Sequence, residues 1–205
     1  MLDYKQLCDT SHYQNDELFS YYLNNDNMMI LKATQGINYI DPTIYKRFLA
    51  CLSIKVEFLG IYHYLDKKYN AQEQAIHFFV LYKKLYNIAN HCNIKLVPIL
   101  DYEEGTTQQY NEFKNEWYKL TKTTLVTYTS ASWLKNIDTT NTALWVAGWT
   151  NSDELIQKRI DTYPTCILYQ YTNHVENAYV NFSIDRNYLI TDRLKFLYFE
   201  ESEDK

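Results

Sequence analysis

The sequence is short of the residues that break or crosslink a chain. Its 205 residues include four glycines, three prolines and four cysteines. The cysteines lie far apart with no CxxC pair, and the five histidines lack the spacing of a metal site. We therefore expect free thiols, and neither a disulfide framework nor a metal centre.

Long apolar runs, basic clusters and several familiar motifs are also missing. No segment approaches the roughly 18 apolar residues of a membrane-spanning helix, and the N-terminal segment lacks the apolar region of a signal peptide. The net charge is −5, which argues against a nucleic-acid or membrane partner. The motifs GxSxG, HExxH, GxGxxG and the Walker loop are absent, which disfavours the chemistries that they carry.

The residues that are present are sufficient for one folded domain. About 46% of the chain is apolar, so we expect a single catalytic domain over 1–195 and a charged tail over 196–205. The 21 tyrosines suit either core packing or a groove that stacks on sugars. Composition alone does not decide between these two uses.

Apolar runs alternate with helical patterns along most of the chain. The predicted strands are 5–11, 28–34, 56–64, 95–103, 123–129, 142–149, 165–172 and 178–185. The predicted helices are 15–24, 43–53, 71–92 and 107–121. Strands that alternate with helices pair in parallel, and eight of them favour a closed α/β barrel.

The last two predicted strands break this alternation. Residues 173–177 are too few for the crossover that parallel neighbours need, so this connection should be antiparallel. We therefore predict an irregular TIM-like β/α barrel, with regular β/α units first, plain strands last and an antiparallel final strand.

Polar and aromatic residues occupy the C-terminal ends of the predicted strands. In a β/α barrel these ends meet at one rim, where active sites are built. The residues are Asp9, Lys32, Tyr62, His63, Asp101, Glu103, Tyr128, Thr129, Trp145, Trp149, Gln170 and Tyr171.

The segment PILDYEEG (98–105) places two acids at one strand end. Asp101 and Glu103 are two residues apart and should leave the same face of the strand. Because two close carboxyls cannot both ionise freely, one should keep its proton near neutral pH, as glycoside hydrolysis requires. The same spacing also suits a divalent cation or the cap of the next helix. Gly105 would let the chain turn toward that helix.

Seven regions of the chain, in order, resemble glycoside hydrolase family 25, the muramidases known as Chalaropsis-type lysozymes. They are CDTSHYQ (8–14), LKATQGINYIDP (31–42), GIYHYL (60–65), PILDYEE (98–104), YTS (128–130), LWVAGW (144–149), and YQYT with IDRN (169–172 and 184–187). Three features depart from the family pattern. Gln35 stands where the family has Glu, Tyr169 where Trp is common, and the Gly-rich turn before the last acid is absent.

The resemblance implies hydrolysis of the β-1,4 bond from N-acetylmuramic acid to N-acetylglucosamine in peptidoglycan, without metal or organic cofactor. Glu103 would be the general acid. Asp101 would stabilise positive charge directly or by orienting the substrate's N-acetyl group, and Asp9 and Asp185 would complete the acidic floor. The substrate-binding residues that we expect are Tyr62, Lys32, His63, Tyr128, Trp145 and Gln170.

Two other functions stay open at this point. One is a catalytically inactive glycan-binding or virion structural protein on the same fold, and the other is a barrel hydrolase that acts on another N-acetylated glycan. The missing signal peptide favours a phage lysin, made in the cytoplasm and released to the wall by the lysis machinery or carried on the virion. Its partners would be peptidoglycan strands, and another virion or wall-binding polypeptide.

Overall fold

A computed structural model describes residues 4–177, 180–182 and 184–198. The strands are β1 (Lys5–Thr10), β2 (Met28–Gln35), β3 (Tyr39–Ile40), β4 (Phe58–Tyr64), β5 (Leu96–Asp101), β6 (Val126–Ser130), β7 (Leu144–Ala147), β8 (Cys166–Thr172), β9 (Val175–Asn177), β10 (Val180–Phe182) and β11 (Asp185–Leu189). The helices are α1 (Asp16–Asp26), α2 (Ile44–Ile54), α3 (Ala71–His91), α4 (Thr107–Thr121) and α5 (Asp153–Thr162). Two 3₁₀ helices span Leu134–Asn136 and Thr191–Tyr198.

Eight strands close into a barrel in the order β1, β2, β4, β5, β6, β7, β8 and β11. Neighbours from β1 through β8 pair in parallel, and β11 pairs antiparallel with both β8 and β1. This arrangement confirms the predicted irregular barrel and its antiparallel last strand.

The structure corrects two details of the predicted element order. The predicted strand at 178–185 is divided: β10 pairs with β9 in a separate two-stranded sheet, and the last barrel strand begins at Asp185. The segment 173–177 is therefore half of a hairpin of its own, while Ala178, Tyr179 and Ser183 lie outside the described residues. Helix α5 was not predicted, because its short polar sequence buries just Ile156 and Ile160.

Local sequence explains where the best-defined helices begin. Helix α4 starts at a capping box, in which Thr106 and Gln109 each accept from the other's backbone N–H. Its buried residues Tyr110, Phe113 and Trp117 recur at helical spacing and pack against the outer face of the barrel. Each helix thus covers the outer face of the barrel, and the C-terminal end of the strand that precedes it lies at the rim.

Tight packing fills the interior of the barrel below that rim. Gly60 faces inward, and a Cβ atom there would lie 2.8 Å from Ile99 Cδ1. The interior cluster is closed by Leu194, Phe196 and Leu197 of the second 3₁₀ helix. This helix includes residue 196, where the sequence predicted that a charged tail would begin. Among the described residues the four cysteines are free, and no helix is long and apolar enough to cross a membrane.

Candidate active site

A cleft of about 430 Å³ opens at the rim formed by the C-terminal ends of the parallel strands. Asp9 lies on β1, Asp101 ends β5, and Glu103 follows two residues later. Asp185 is the first residue of β11, and an antiparallel strand begins where its parallel neighbours end. The full lining is Asp9, Thr10, Ser11, Tyr13, Gln14, Lys32, Tyr62, Tyr64, Asp101, Glu103, Tyr128, Trp145, Trp149, Gln170, Asn173 and Asp185.

Barrel closure thus brings together all the predicted site residues except His63. Asp9 and Asp185 are directly paired across β1 and β11. Asp101 and Glu103 both line the cleft, while the intervening Tyr102 is fully buried in the outer core, as strand alternation requires.

The structure does not place His63 in the cleft, where the sequence predicted that it would bind substrate. Its side chain is fully buried on the outer face of β4, between the rings of Phe78 and Phe113. Nδ1 lies 2.8 Å from Thr34 Oγ1, and Nε2 lies 3.2 Å from Gln74 Oε1. Burial lowers the pKa of His63 to about 3, so the neutral ring has a structural role beneath α3. Tyr62, one residue earlier, points into the cleft instead.

Asp101 and Glu103 form a carboxyl pair that resists losing both protons. Burial, and then the neighbouring Glu103, raise the pKa of Asp101 well above its ordinary value. Burial also raises the pKa of Glu103, against the effects of the Tyr128 hydroxyl and Lys32. Because the charge of Glu103 disfavours a charge on Asp101, the pair favours a state in which one of the two carboxyls keeps a proton. This is the state that general acid catalysis requires.

Asp9 and Asp185 make a second carboxyl pair on the opposite wall. Burial raises the pKa of Asp9 to about 6, although hydrogen bonds from Asn187 and Gln170 lower it. Burial and then the charge of Asp9 raise the pKa of Asp185 to about 8. Between these values Asp9 is ionised, and Asp185 keeps a proton that it donates to Asp9.

Lys32 is the cation in the cleft lining, and its charge acts on the Asp101–Glu103 pair. Its Nζ donates to Gln35 Oε1 at 2.8 Å and lies 5.3 Å from the centre of the Tyr64 ring. Burial lowers the pKa of Lys32, while Asp101, Asp41 and Glu103 raise it. The residue at position 35, for which the sequence assigned no role, therefore helps to orient this lysine.

Sequence reasoning missed Asn187 as a contributor to the site, and it placed Trp149 at the rim without giving it a partner. Asn187 is fully buried beside Asp9, and Trp149 donates its indole N–H to Gln170 Oε1 at 3.0 Å. Trp149 stood at a predicted strand end, and Asn187 lies within the IDRN segment. Both positions therefore carried a signal, but nothing in the sequence placed either side chain on a carboxylate network.

The site has the chemistry of an acid–base hydrolase. Within the described residues no group of three His, Cys, Asp or Glu side chains is arranged to hold a metal ion. The cleft instead brings together coupled carboxyls, one lysine, and phenols such as Tyr62, whose pKa burial raises well above its ordinary value. A β/α barrel with this rim defines the class of glycoside hydrolases that work with paired carboxyls.

The particular family follows from comparison of the sequence. The sequence model described as glycosyl hydrolases family 25 matches residues 8–179. The chain belongs to this family, and it is a glycoside hydrolase. No curated protein shows a significant match to the chain.

Solved structures share the whole fold at low sequence identity. A family 25 glycosyl hydrolase from Bacillus anthracis superposes with a TM-score of 0.72 at 17% identity, covering 97% of this chain and 95% of that one. A lysozyme from Streptomyces coelicolor gives 0.69 at 22% identity, with 96% and 97% covered. The catalytic domain of endolysin ply40 from the Listeria monocytogenes bacteriophage P40 gives 0.68 at 20% identity, with 96% and 98% covered.

Proposed function

We propose that this protein is a muramidase, which cleaves the β-1,4 bond between N-acetylmuramic acid and N-acetylglucosamine in bacterial peptidoglycan. The observation that carries the proposal is the state of Asp101. This carboxyl lines the cleft at 8% exposure, and its Oδ1 has no hydrogen-bond partner among the described residues. A buried acceptor without a donor is costly, so it suits a substrate that supplies an N–H group. The acetamido group of an N-acetylated sugar supplies one.

In this mechanism substrate binding moves the shared proton to the general acid. When the acetamido N–H donates to Asp101, it stabilises the ionised form of Asp101. The proton of the pair then belongs to Glu103, which donates it to the leaving glycosidic oxygen as the bond to C1 breaks. The acetamido oxygen, positioned because the N–H of the same group donates to Asp101, attacks C1 and forms a cyclic intermediate. Water opens the intermediate while Glu103 takes back a proton.

The experiment is clearing of purified peptidoglycan by wild type, Glu103→Gln and a matched control, Glu104→Gln. Glu104 is adjacent in the chain, but its carboxylate pairs with Lys67 at 3.0 Å outside the cleft. We expect Glu103→Gln to lower kcat by roughly 10²–10⁴-fold and Glu104→Gln to leave it near wild type, with both variants folded by circular dichroism. Fragments with new N-acetylmuramic acid reducing ends support the proposed bond. Glucosamine ends, or equal activity of Glu103→Gln and wild type, contradict it.

The cellular setting of this activity is that of a phage lysin, which reaches the wall on lysis or from the virion. The shared fold with the catalytic domain of a Listeria phage endolysin supports this setting. Immunodetection in purified particles identifies a virion-associated lysin, and detection in lysate alone identifies an endolysin. Secretion by growing, uninfected bacteria contradicts both.

A further inference from the structure

The floor of the cleft contains a hydrogen-bond network that the proposed chemistry does not use directly. Two buried side-chain amides, from Asn187 on β11 and Gln170 on β8, lie side by side in the sheet register. Asn187 Nδ2 lies 2.8 Å from Asp9 Oδ1, and Gln170 Nε2 lies 3.2 Å from the same oxygen. Two N–H donors thus converge on one carboxylate oxygen.

The orientation of the Asn187 amide is fixed by its other neighbours. Trp145 Nε1, which can only donate, lies 2.7 Å from Asn187 Oδ1. The backbone carbonyl of Leu7, which can only accept, lies 3.4 Å from Asn187 Nδ2. A flipped amide would set donor against donor at Trp145 and acceptor against acceptor at both Asp9 and Leu7. The N–H group must therefore face Asp9.

The orientation of the Gln170 amide is fixed in the same way. Its Oε1 accepts from Trp149 Nε1 at 3.0 Å and from the Tyr128 hydroxyl at 2.9 Å. Tyr128 carries a single hydroxyl proton, for which Glu103 competes, whereas the indole N–H of Trp149 can only donate. The indole therefore keeps the Gln170 N–H turned toward Asp9 even when Tyr128 donates to Glu103.

We propose that Asn187 and Gln170 are positioning residues that assign the negative charge of the inner carboxyl pair to Asp9 and leave the proton on Asp185. This inference rests on the proposed muramidase function for its catalytic meaning. A fixed charge at Asp9 lies on the cleft floor, where positive charge develops on the sugar, while the protonated Asp185 is kept as a hydrogen-bond donor.

Among the described residues no cation forms a hydrogen bond with Asp9. Lys32 lines the same cleft, but its charge interacts with Asp101, Asp41 and Glu103. The titratable groups that act on Asp9 within the cleft are Tyr62, Asp101, Tyr128 and Asp185, while Cys8 lies on the opposite face of β1. All of these are neutral or acidic, so the nearby acids disfavour a charge on Asp9. The two amides, together with the proton that Asp185 donates, oppose this effect.

The test is a carboxyl ¹³C NMR titration of the full chain, with Asp9→Asn used to assign the Asp9 signal. In wild type we expect steps near pH 6 and pH 8 for the pair. In Asn187→Ala the lower step should rise by about one pH unit, because a donor to the charged form is lost. The upper step should move much less, because Asp9 is already ionised when Asp185 loses its proton.

Trp145→Phe gives a second variant, which keeps Asn187 but removes the donor that orients it. It should shift the lower step in the same direction by a smaller amount. Trp117→Phe is the matched control, since Trp117 Nε1 is buried without a partner among the described residues and lies in the outer core. A lower step that is unchanged in both Asn187→Ala and Trp145→Phe, or that moves equally in Trp117→Phe, would overturn the inference.

Activity provides the second readout and separates the two proposals. For Asn187→Ala, kcat/KM on peptidoglycan should fall about tenfold at pH 5 and little at pH 7.5. The reason is that the acidic side of the pH profile of kcat/KM, which follows the ionisation of Asp9, moves up by about one pH unit. A uniform loss at all pH values indicates a merely structural role and contradicts the inference. If wild type shows no activity, the proposed function fails, while the NMR titration still tests the network.

Discussion

The two faces of the β1–β11 strand pair differ in how their buried charged side chains are paired. Asp185 and Arg186 are adjacent in the chain, and strand alternation sends them to opposite faces. Inside the cleft, Asp185 faces another acid, Asp9. Outside, Arg186 meets Asp26 of α1 in an ion pair whose side chains are 8% and 10% exposed, and its guanidinium lies 4.6 Å from the centre of the Tyr22 ring.

This difference separates charges that hold the fold from charges that serve the chemistry. In an Arg–carboxylate pair that also contacts an aromatic ring, each buried charge has a partner that offsets its loss of hydration. Crowded carboxyls instead disfavour ionisation and raise each other's pKa, which costs stability at neutral pH. Changes on the inner face should therefore affect activity more than folding, and changes on the outer face the reverse.

The largest expected effect is on the inner face, in Asp101→Asn. The amide keeps the size of the side chain but cannot carry negative charge, so kcat should fall by roughly 10²–10³-fold. The free energy of unfolding should not fall, because the change removes a buried carboxyl whose Oδ1 is unpaired. Peptidoglycan clearing and urea denaturation at pH 7 measure the two effects. A variant that loses stability in parallel with activity contradicts the comparison.

The next effect is on the outer face, in Arg186→Met. Removing one partner leaves Asp26 buried and unpaired, which should lower the free energy of unfolding by roughly 3–5 kcal/mol. The guanidinium also lies 3.1 Å from Gln6 Oε1, and that contact is lost as well. Activity per folded molecule should stay near wild type. The double variant Arg186→Met/Asp26→Leu is the control, since it removes both charges and should recover part of the stability.

The sequence predicted the barrel well because its signals are local. Apolar runs, helical periodicity and the short segment before the last strand are all read within a few residues. Gly105 was assigned a turn, and it adopts φ +95° there. The acids at positions 9, 101 and 103 were located because strand ends meet at one rim whatever the exact register, whereas Asp185 was placed with them through the family resemblance.

The details that the sequence could not predict depend on single-residue register or on distant contacts. Tyr62 and His63 both end β4, and a shift of one residue decides which of them enters the cleft. The bond from Trp145 to Asn187 joins residues 42 positions apart. The pairing of Arg186 with Asp26 spans 160 positions. Neither partner carries a local pattern that identifies the other.

The smallest expected effect concerns the pH dependence of stability, in Asp185→Asn. In the folded protein, burial raises the pKa of Asp185 to about 8 from its ordinary value of 3.8, so the folded state binds this proton more tightly than the unfolded state. Its contribution to stability is therefore complete at low pH and is lost as pH rises from about 4 to about 8. The variant should lack that loss and exceed wild type at pH 8 by roughly 1–2 kcal/mol, since partial exposure and coupling to Asp9 reduce the effect. Urea denaturation at pH 5 and pH 8 measures the difference, with the exposed Asp192→Asn as the control that should follow wild type at both values. If Asp185→Asn and Asp192→Asn show the same pH dependence, the crowded inner carboxyls do not cost stability and the contrast between the two faces fails.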